Sequence, residues 1–145
     1  MSQRWHPWRH AAEHYPDVII NCQRELPEQL WGFTSFSLRK VWLCRRLRQV
    51  HRRCTLTHEL IHLERGPVPR HLQEREERIV DGLAARRLIE MDDLIEGLRW
   101  SREPSELADA LWVDEPTLNS RMAYLDPLET AHLEHELGDE WLWIP

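Results

Sequence analysis

The stretch His58-Glu59-Leu60-Ile61-His62 has the pattern H-E-x-x-H, and it decides the fold predicted for the whole chain. On a helix, residues four positions apart lie on one face and one turn apart, so both imidazoles can reach a single metal ion. Zinc accepts histidine nitrogens at about 2.0–2.1 Å. Glu59, between the two histidines, is placed to act as general base on a metal-activated water. The pattern therefore predicts metal-assisted hydrolysis, most often of a peptide bond.

The residues around this stretch predict a helix that ends soon after it. Leu56, Leu60 and Leu63 form an apolar stripe at the i, i+4, i+7 spacing, which would bury one side of the helix and leave the histidines on another. Gly66 followed by Pro67 is a helix stop, with glycine at the left-handed position and proline just beyond it. We therefore expect the motif near the C-terminal end of a short amphipathic helix.

A catalytic zinc ion needs a third protein ligand, and a second helix, predicted over about 70–90, offers one. The candidates on this helix are Glu74, Glu76 and Glu77. We favour Glu77 because Asp81 follows one turn later, where its carboxylate can accept the second N–H of a ligating histidine and so orient the ring. The alternative is that the glutamates and the arginines between them form a solvated charged face.

Two segments, 53–62 and 77–88, together resemble the ImmA/IrrE family of metallo-endopeptidases, which are zincins with a glutamate as the third zinc ligand. The family pattern is T-L-x-H-E-L-x-H, followed by E-x-x-A-[DN]-x-F-A-A-x-L-L. The chain departs from it at Val80, where the family has alanine, and at Leu83, where it has phenylalanine; both are apolar exchanges. It also lacks the proline that often closes the second helix. The resemblance covers about positions 15–125, which is most of the chain.

This resemblance implies a role for five residues. His58, His62 and Glu77 match the metal ligands of the family, and the implied cofactor is Zn²⁺. Glu59 matches the catalytic acid/base, and Asp81 matches the Asp/Asn of the family pattern. The implied protein is a cytoplasmic endopeptidase that hydrolyses a peptide bond in another protein, such as a transcriptional repressor of a phage or mobile element.

The resemblance and the apolar pattern together predict an α+β fold. Three short runs rich in β-branched or aromatic residues are predicted to be strands: 18–20, 30–34 and 40–44. A short helix is predicted over 8–14. We expect residues 1–100 to form a zincin-like minimal metallopeptidase core, made of the small sheet, the H-E-x-x-H helix and the glutamate-bearing helix. Residues 101–145 should form a helix-turn-helix-like subdomain packed on this core.

The helix-turn-helix-like pair is predicted over 104–111 and 116–125. Its second helix offers Arg121 to nucleic acid, but acidic residues surround it, and phosphate contacts supply most of the affinity for DNA. We therefore expect a structural or partner-facing pair that does not bind DNA. The alternative to an enzyme is a non-catalytic regulatory protein that binds a repressor or DNA through this pair.

Composition narrows the class of protein further. At 145 residues the chain can bury one core, and its net charge of −6 does not suggest a nucleic-acid binder. No apolar run approaches the length of a membrane span, so we expect a soluble cytoplasmic protein without membrane contact. Cys22, Cys44 and Cys54 lack metal-type spacing, and we expect them to be reduced and mostly buried.

Three further groups of residues remain open to interpretation. The basic run from 39 to 53 contains no acid, and it is either a nucleic-acid patch or, as we favour, a strand and helix edge that pairs with the acidic C-terminal half. His6, His10 and His14 would span about 12 Å along a helix, so at most two of them can share an ion, and we expect a surface feature. Several residues are candidates to stabilise an oxyanion: His71, Tyr124, His132 and His135.

Overall fold

The chain folds into one small sheet followed mostly by helices. A computed structural model describes residues 4–27, 29–139 and 141. Within these residues the fold is α+β, as predicted, with a three-stranded sheet and seven α-helices. The elements in chain order are α1 Pro7–His14, β1 Ile19–Asn21, β2 Gly32–Ser35, β3 Lys40–Leu43, α2 Gln49–Arg65, α3 Gln73–Leu88, α4 Met91–Trp100, α5 Pro104–Leu111, α6 Glu115–Ala123 and α7 Pro127–Leu137.

The sheet has the strand order β1-β3-β2, so β2 lies at one edge. β1 runs parallel to β3, and β2 runs antiparallel to it. Alternate residues of β3 point to opposite faces: Val41 and Leu43 are fully buried in a cluster with Leu56 and Leu60 of α2, while Trp42 faces away from them. All three strands lie within two residues of their predicted positions. The sheet therefore packs one face on the helix that carries the H-E-x-x-H motif.

The C-terminal end of α2 confirms the prediction, and its start corrects it. Gly66 ends the helix with a φ of 85°, a conformation that favours glycine, and its N–H donates to the His62 carbonyl at 2.9 Å. The helix begins at Gln49 and has 17 residues, so the expectation of a short helix was wrong. The first turns carry arginines instead of an apolar stripe, and contacts with distant segments bury part of them.

Two arginines of the basic run from 39 to 53 pair with acids of the N-terminal half rather than with the acidic C-terminal half. The ion pairs are Arg39 with Asp17 at 2.8 Å and Arg45 with Glu25 at 3.4 Å. Arg53 is buried and donates to the backbone carbonyls of Trp5 and Trp112 at 3.1 and 2.7 Å. The expected acidic partners were therefore wrong for Arg39 and Arg45, whose acids lie in the N-terminal half of the chain. Arg53 does reach the C-terminal half, but it meets a backbone carbonyl there and not an acid.

Four helices follow α3, and they share a core with its C-terminal end. The pair α5 and α6 confirms the two predicted helices, whereas α4 and α7 were not predicted. One cluster of buried residues joins these helices to α3: Leu88, Ile89, Leu94, Leu98, Leu107, Leu118 and Leu133. The cluster contains residues of both 1–100 and 101–145. The division of the chain into two parts after residue 100 stays a prediction. No helix in the described part of the chain is long and apolar enough to cross a membrane.

Arg121 anchors α6 inside this helical half of the protein. Its side chain is 3% exposed, donates to the Ile89 carbonyl at 2.9 Å and pairs with Glu129 of α7. Arg86 of α3 also contacts Glu129, at 2.8 Å. Hydrogen bonding from Arg121 holds the pKa of Glu129 below its ordinary value, although burial opposes this shift. The cation that the sequence offered to nucleic acid is therefore engaged within the core.

Glu129→Gln should destabilise the fold by about 3–5 kcal/mol at neutral pH, because it leaves the buried guanidinium of Arg121 without its counter-charge. The difference should shrink in acid. Since the pKa of Glu129 is lowered in the folded protein, its contribution is present above the ordinary glutamate pKa and is lost as pH falls through the lowered value. Urea unfolding of both proteins at a series of pH values measures the difference.

Glu136→Gln is the matched control, because Glu136 lies on the same helix and also pairs with an arginine. Its carboxylate contacts Arg99 at 2.9 Å, but it is 36% exposed, so its loss should cost no more than about 1 kcal/mol. Small and equal losses in the two variants would contradict the anchoring role of Glu129.

Candidate metal centre

Helices α2 and α3 bring together the three side chains predicted as metal ligands. The Nε2 atoms of His58 and His62 are 3.1 Å apart. The carboxylate of Glu77 spans both rings, with Oε2 lying 3.0 Å from Nε2 of His58 and Oε1 lying 3.0 Å from Nε2 of His62. One donor atom from each residue lies within 4.8 Å of the others, so the three residues are close enough to hold one metal ion.

The donor atoms of this cluster suit a divalent metal ion. Two imidazole nitrogens at hydrogen-bond distance cannot face each other as lone pairs, so the cluster needs a proton or a cation between its donors. Two histidine nitrogens and one carboxylate oxygen are also a ligand set of catalytic zinc, which leaves a fourth position open. Imidazole and carboxylate serve other divalent metals as well, so the ligands define a class of metal site rather than one element.

The surroundings of the three candidate glutamates distinguish them. Glu76 is 4% exposed and forms a two-point ion pair with Arg65, at 2.7 and 2.9 Å. The side chain of Glu74 is 92% exposed and lies 3.5 Å from Arg78, so the solvated-face interpretation holds for this residue. Glu77 is the one of the three that contacts the histidines, as predicted.

Small side chains let α3 approach α2 beside the cluster. Ile61 of α2 packs with Val80 and Ala84 of α3 in a buried group, and Ala85 is 1% exposed. The distance between packed helices depends on the size of the side chains at their contact, so alanine permits a close approach. This packing brings the carboxylate of Glu77 to the histidines on the neighbouring helix.

Asp81 lies behind one of the histidines, where the sequence predicted it. Its Oδ1 is 3.1 Å from Nδ1 of His58. A carboxylate on one ring nitrogen fixes the ring orientation and directs the other nitrogen, here Nε2, toward the cluster. Asp81 is therefore in position to orient His58, and its effect on activity stays a prediction.

Protons and metal ions compete for this cluster. Burial disfavours the charged form of His58, but hydrogen bonds to Asp81 and Glu77 outweigh burial and raise the pKa of His58 to about 10. Hydrogen bonds from both histidines hold the pKa of Glu77 well below its ordinary range. The cluster thus holds a proton near neutral pH, and a metal ion has to displace it.

Glu59 is held by a residue that the sequence analysis missed. Glu59 is 8% exposed, and its Oε2 accepts a hydrogen bond from the Thr34 hydroxyl at 2.6 Å. Next to it, a Cβ on Gly32 would lie 2.7 Å from Cγ2 of Thr55, so glycine is required where β2 approaches α2. Because side chains along a strand alternate between its two faces, the sequence places Thr34 on one face of β2. No local pattern in the sequence indicates which helix packs against that face.

The cluster lies between two depressions that share Leu30, Gly32, Glu59 and Glu77. One is a cleft of about 430 Å³ that reaches the N-terminal end of α6, and the other, of about 340 Å³, reaches the turn after Gly66. Among the described residues lining either depression, none is an oxyanion candidate named above: His71, Tyr124, His132 or His135. The site is therefore open on both sides of Glu59.

Within the described ranges, His58, His62 and Glu77 are the one group of at least three His, Cys, Asp or Glu residues with suitably close donor atoms. In the N-terminal histidine series, Nε2 of His10 instead contacts Glu64 of α2 at 3.2 Å.

No family model, curated protein or solved structure matches the chain.

Glu77→Gln should lower the zinc content of the purified protein from about one ion per chain to a small fraction of that, because one of three protein ligands is lost. Elemental analysis after exposure to zinc and dialysis measures the content. The matched control is Glu74→Gln, an exposed glutamate of the same helix, which should keep the wild-type content. Unchanged zinc in Glu77→Gln would mean that another residue completes the site.

Zinc affinity should rise with pH, because the proton held at His58 competes with the ion. The pKa of His58 is raised to about 10, so at lower pH each ion bound displaces one proton. The apparent association constant should then increase by up to about tenfold per pH unit. Competition with a chelating dye at pH 6, 7 and 8 measures the slope, and an affinity independent of pH would contradict the proposed protonation of the cluster.

Proposed function

We propose that this protein is a zinc-dependent endopeptidase with a zincin-like core, of the kind implied by its resemblance to the ImmA/IrrE family. The observation that carries the proposal is the convergence of His58, His62 and Glu77 in one cluster, with Glu59 on the same helix as the two histidines. A metal-assisted hydrolase needs three ligands and one base, and these four residues supply that set.

In the proposed hydrolysis of a peptide bond, each residue in and around the cluster has a separate role. The three ligand residues would hold the ion, and Asp81 would keep the ring of His58 oriented. Bound zinc would polarise the scissile carbonyl and lower the pKa of a water to about 7. Glu59, anchored through Oε2 by the Thr34 hydroxyl, would accept a proton from the attacking water at Oε1 and pass it to the leaving amide nitrogen.

The edge strand β2, which lies beside the cleft, supports the proposal that the substrate is a polypeptide. β2 pairs with β3 on one side, and within the described residues no strand pairs with its other side. An exposed strand edge offers N–H and C=O groups to an extended peptide. Gly32 of this strand lines the cleft together with Glu59, so a peptide added at the edge would pass the proposed base.

The proposed substrate in the cell is a cytoplasmic protein such as a transcriptional repressor of a phage or mobile element. This part of the proposal rests on the family resemblance. Few elements of a chain of 145 residues are left to extend the cleft, so a partner that presents the substrate would add specificity.

Glu59→Gln should keep zinc and lose hydrolysis by about 10²- to 10⁴-fold, the range that a positioned general base contributes. Gln has nearly the same shape as Glu, and its side-chain oxygen can still accept from Thr34. Zinc content and the cleavage rate of a fluorogenic peptide library measure the two properties in parallel. Glu74→Gln, which changes an exposed glutamate of α3, should retain both. Undiminished cleavage by Glu59→Gln would exclude the proposed mechanism.

A further inference from the structure

Asp114 is a buried residue that lines the cleft of about 430 Å³ beside the cluster. The proposed hydrolysis gives it no role. It caps α6, because its Oδ1 accepts the Thr117 N–H at 2.9 Å, and its side chain is 6% exposed. Its Oδ2 lies 3.9 Å from Nδ1 of His51, which is too long for a hydrogen bond. Because a carboxylate accepts up to about four hydrogen bonds, Asp114 keeps capacity for a ligand in the cleft that it lines.

Asp114 lies beside the part of α2 that precedes the proposed metal site by one helical turn. It neighbours Cys54 of α2, where burial raises the pKa of the thiol to about 11 and the charge of Asp114 adds to that rise. Cys54 precedes His58 by four residues, about 6 Å along a helix. An extended peptide advances about 3.3 Å per residue. A substrate side chain one or two residues from a bond held beside Glu59 would therefore reach Asp114.

The cleft around Asp114 is negatively charged. Four carboxylates line it: Glu59, Glu77, Asp81 and Asp114. None of the described residues lining this cleft is a lysine or an arginine. Arg46 and Arg48 line an adjoining depression, which shares Gln29 and Trp31 with the cleft. A bound zinc ion would offset two of the four negative charges, so the remaining field favours a cation and opposes an acidic side chain.

Trp31 gives the same cleft an aromatic wall. Trp31 lines the cleft and is 44% exposed, and its ring packs on His51 in a T-shaped arrangement with 5.4 Å between the ring centroids. The face of an indole attracts lysine and arginine side chains. An aromatic wall and a buried carboxylate in one cleft are complementary to a long cationic side chain, whose alkyl part packs on the ring while its charge meets the acid.

We propose that Asp114 and Trp31 form a subsite that selects a lysine or arginine side chain one or two residues from the scissile bond. This inference rests on the proposed peptidase function of the adjacent cluster. Asp114 determines specificity in this arrangement and does not touch the reacting atoms. Because Asp114 caps α6, the C-terminal helical pair takes a direct part in the choice of substrate.

Blocked peptides with one common apolar sequence test the subsite, with lysine, norleucine or glutamate placed at one position at a time. Zinc-loaded wild-type protein should cleave the best lysine peptide about 10- to 100-fold faster than its glutamate counterpart, as expected for a hydrogen bond to a charged group. Asp114→Asn should bring the lysine and norleucine rates together. Asparagine caps helices as well as aspartate does, so this variant should keep its fold.

Glu115→Gln is the matched control, because it removes one negative charge from the next residue, which is exposed and does not line the cleft. It should keep the lysine preference of the wild type. A binding measurement accompanies the rates: zinc-loaded Glu59→Gln protein, with and without Asp114→Asn, is titrated with the same peptides and followed by fluorescence anisotropy.

The outcomes separate this subsite from the peptidase proposal. Cleavage without lysine preference, or a preference that survives Asp114→Asn, overturns the subsite and leaves the peptidase standing. Lysine-selective binding that Asp114→Asn abolishes, in a protein that cleaves none of the peptides, supports the subsite and overturns the peptidase. Neither cleavage nor selective binding overturns both.

Discussion

The close packing of α3 on α2 is the constraint on which the rest of the site depends. One helix places the two histidines by its own geometry, but the third donor must come from a neighbour held at a fixed distance. Alanines and a valine allow the approach, and two ion pairs secure it: Arg65 with Glu76, and Arg87 with Glu64. The carboxylate of Glu77 meets both imidazoles as a result. A larger residue at Ala84 would separate the donors without changing any of them.

The site is assembled from elements that each supply one property. α2 carries both imidazoles and Glu59, and α3 carries the carboxylate of Glu77 and Asp81, which contacts the ring of His58. The edge strand β2 contributes the hydroxyl of Thr34, which fixes the carboxylate of Glu59, and the glycine that lets the strand come so close. The C-terminal helices close one end of the cleft with Asp114. The candidate metal ligands are therefore concentrated on two helices, and the residues around them come from the sheet and the last third of the chain.

The sequence predicted the elements whose signals are local. Short runs rich in β-branched or aromatic residues marked the three strands, and Gly66 marked the end of α2, because a positive φ and a helix stop depend on neighbours in the chain. The start of α2 was missed because its first turns carry arginines, and tertiary partners rather than an apolar stripe bury Arg53. α7 was not predicted although Asp126 and Glu129 form a capping box, which is a local signal.

The sequence by itself determined that His58 and His62 share one face of a helix and that Asp81 lies one turn beyond Glu77, since both follow from helical periodicity. Only the tertiary structure decided which glutamate meets the histidines, which of them Asp81 supports, what holds Glu59, and that Arg121 is a core residue. Each of these depends on the distance and orientation between elements far apart in the chain. Periodicity describes one helix or strand at a time, whereas a site shared by several elements depends on how their buried faces pack together.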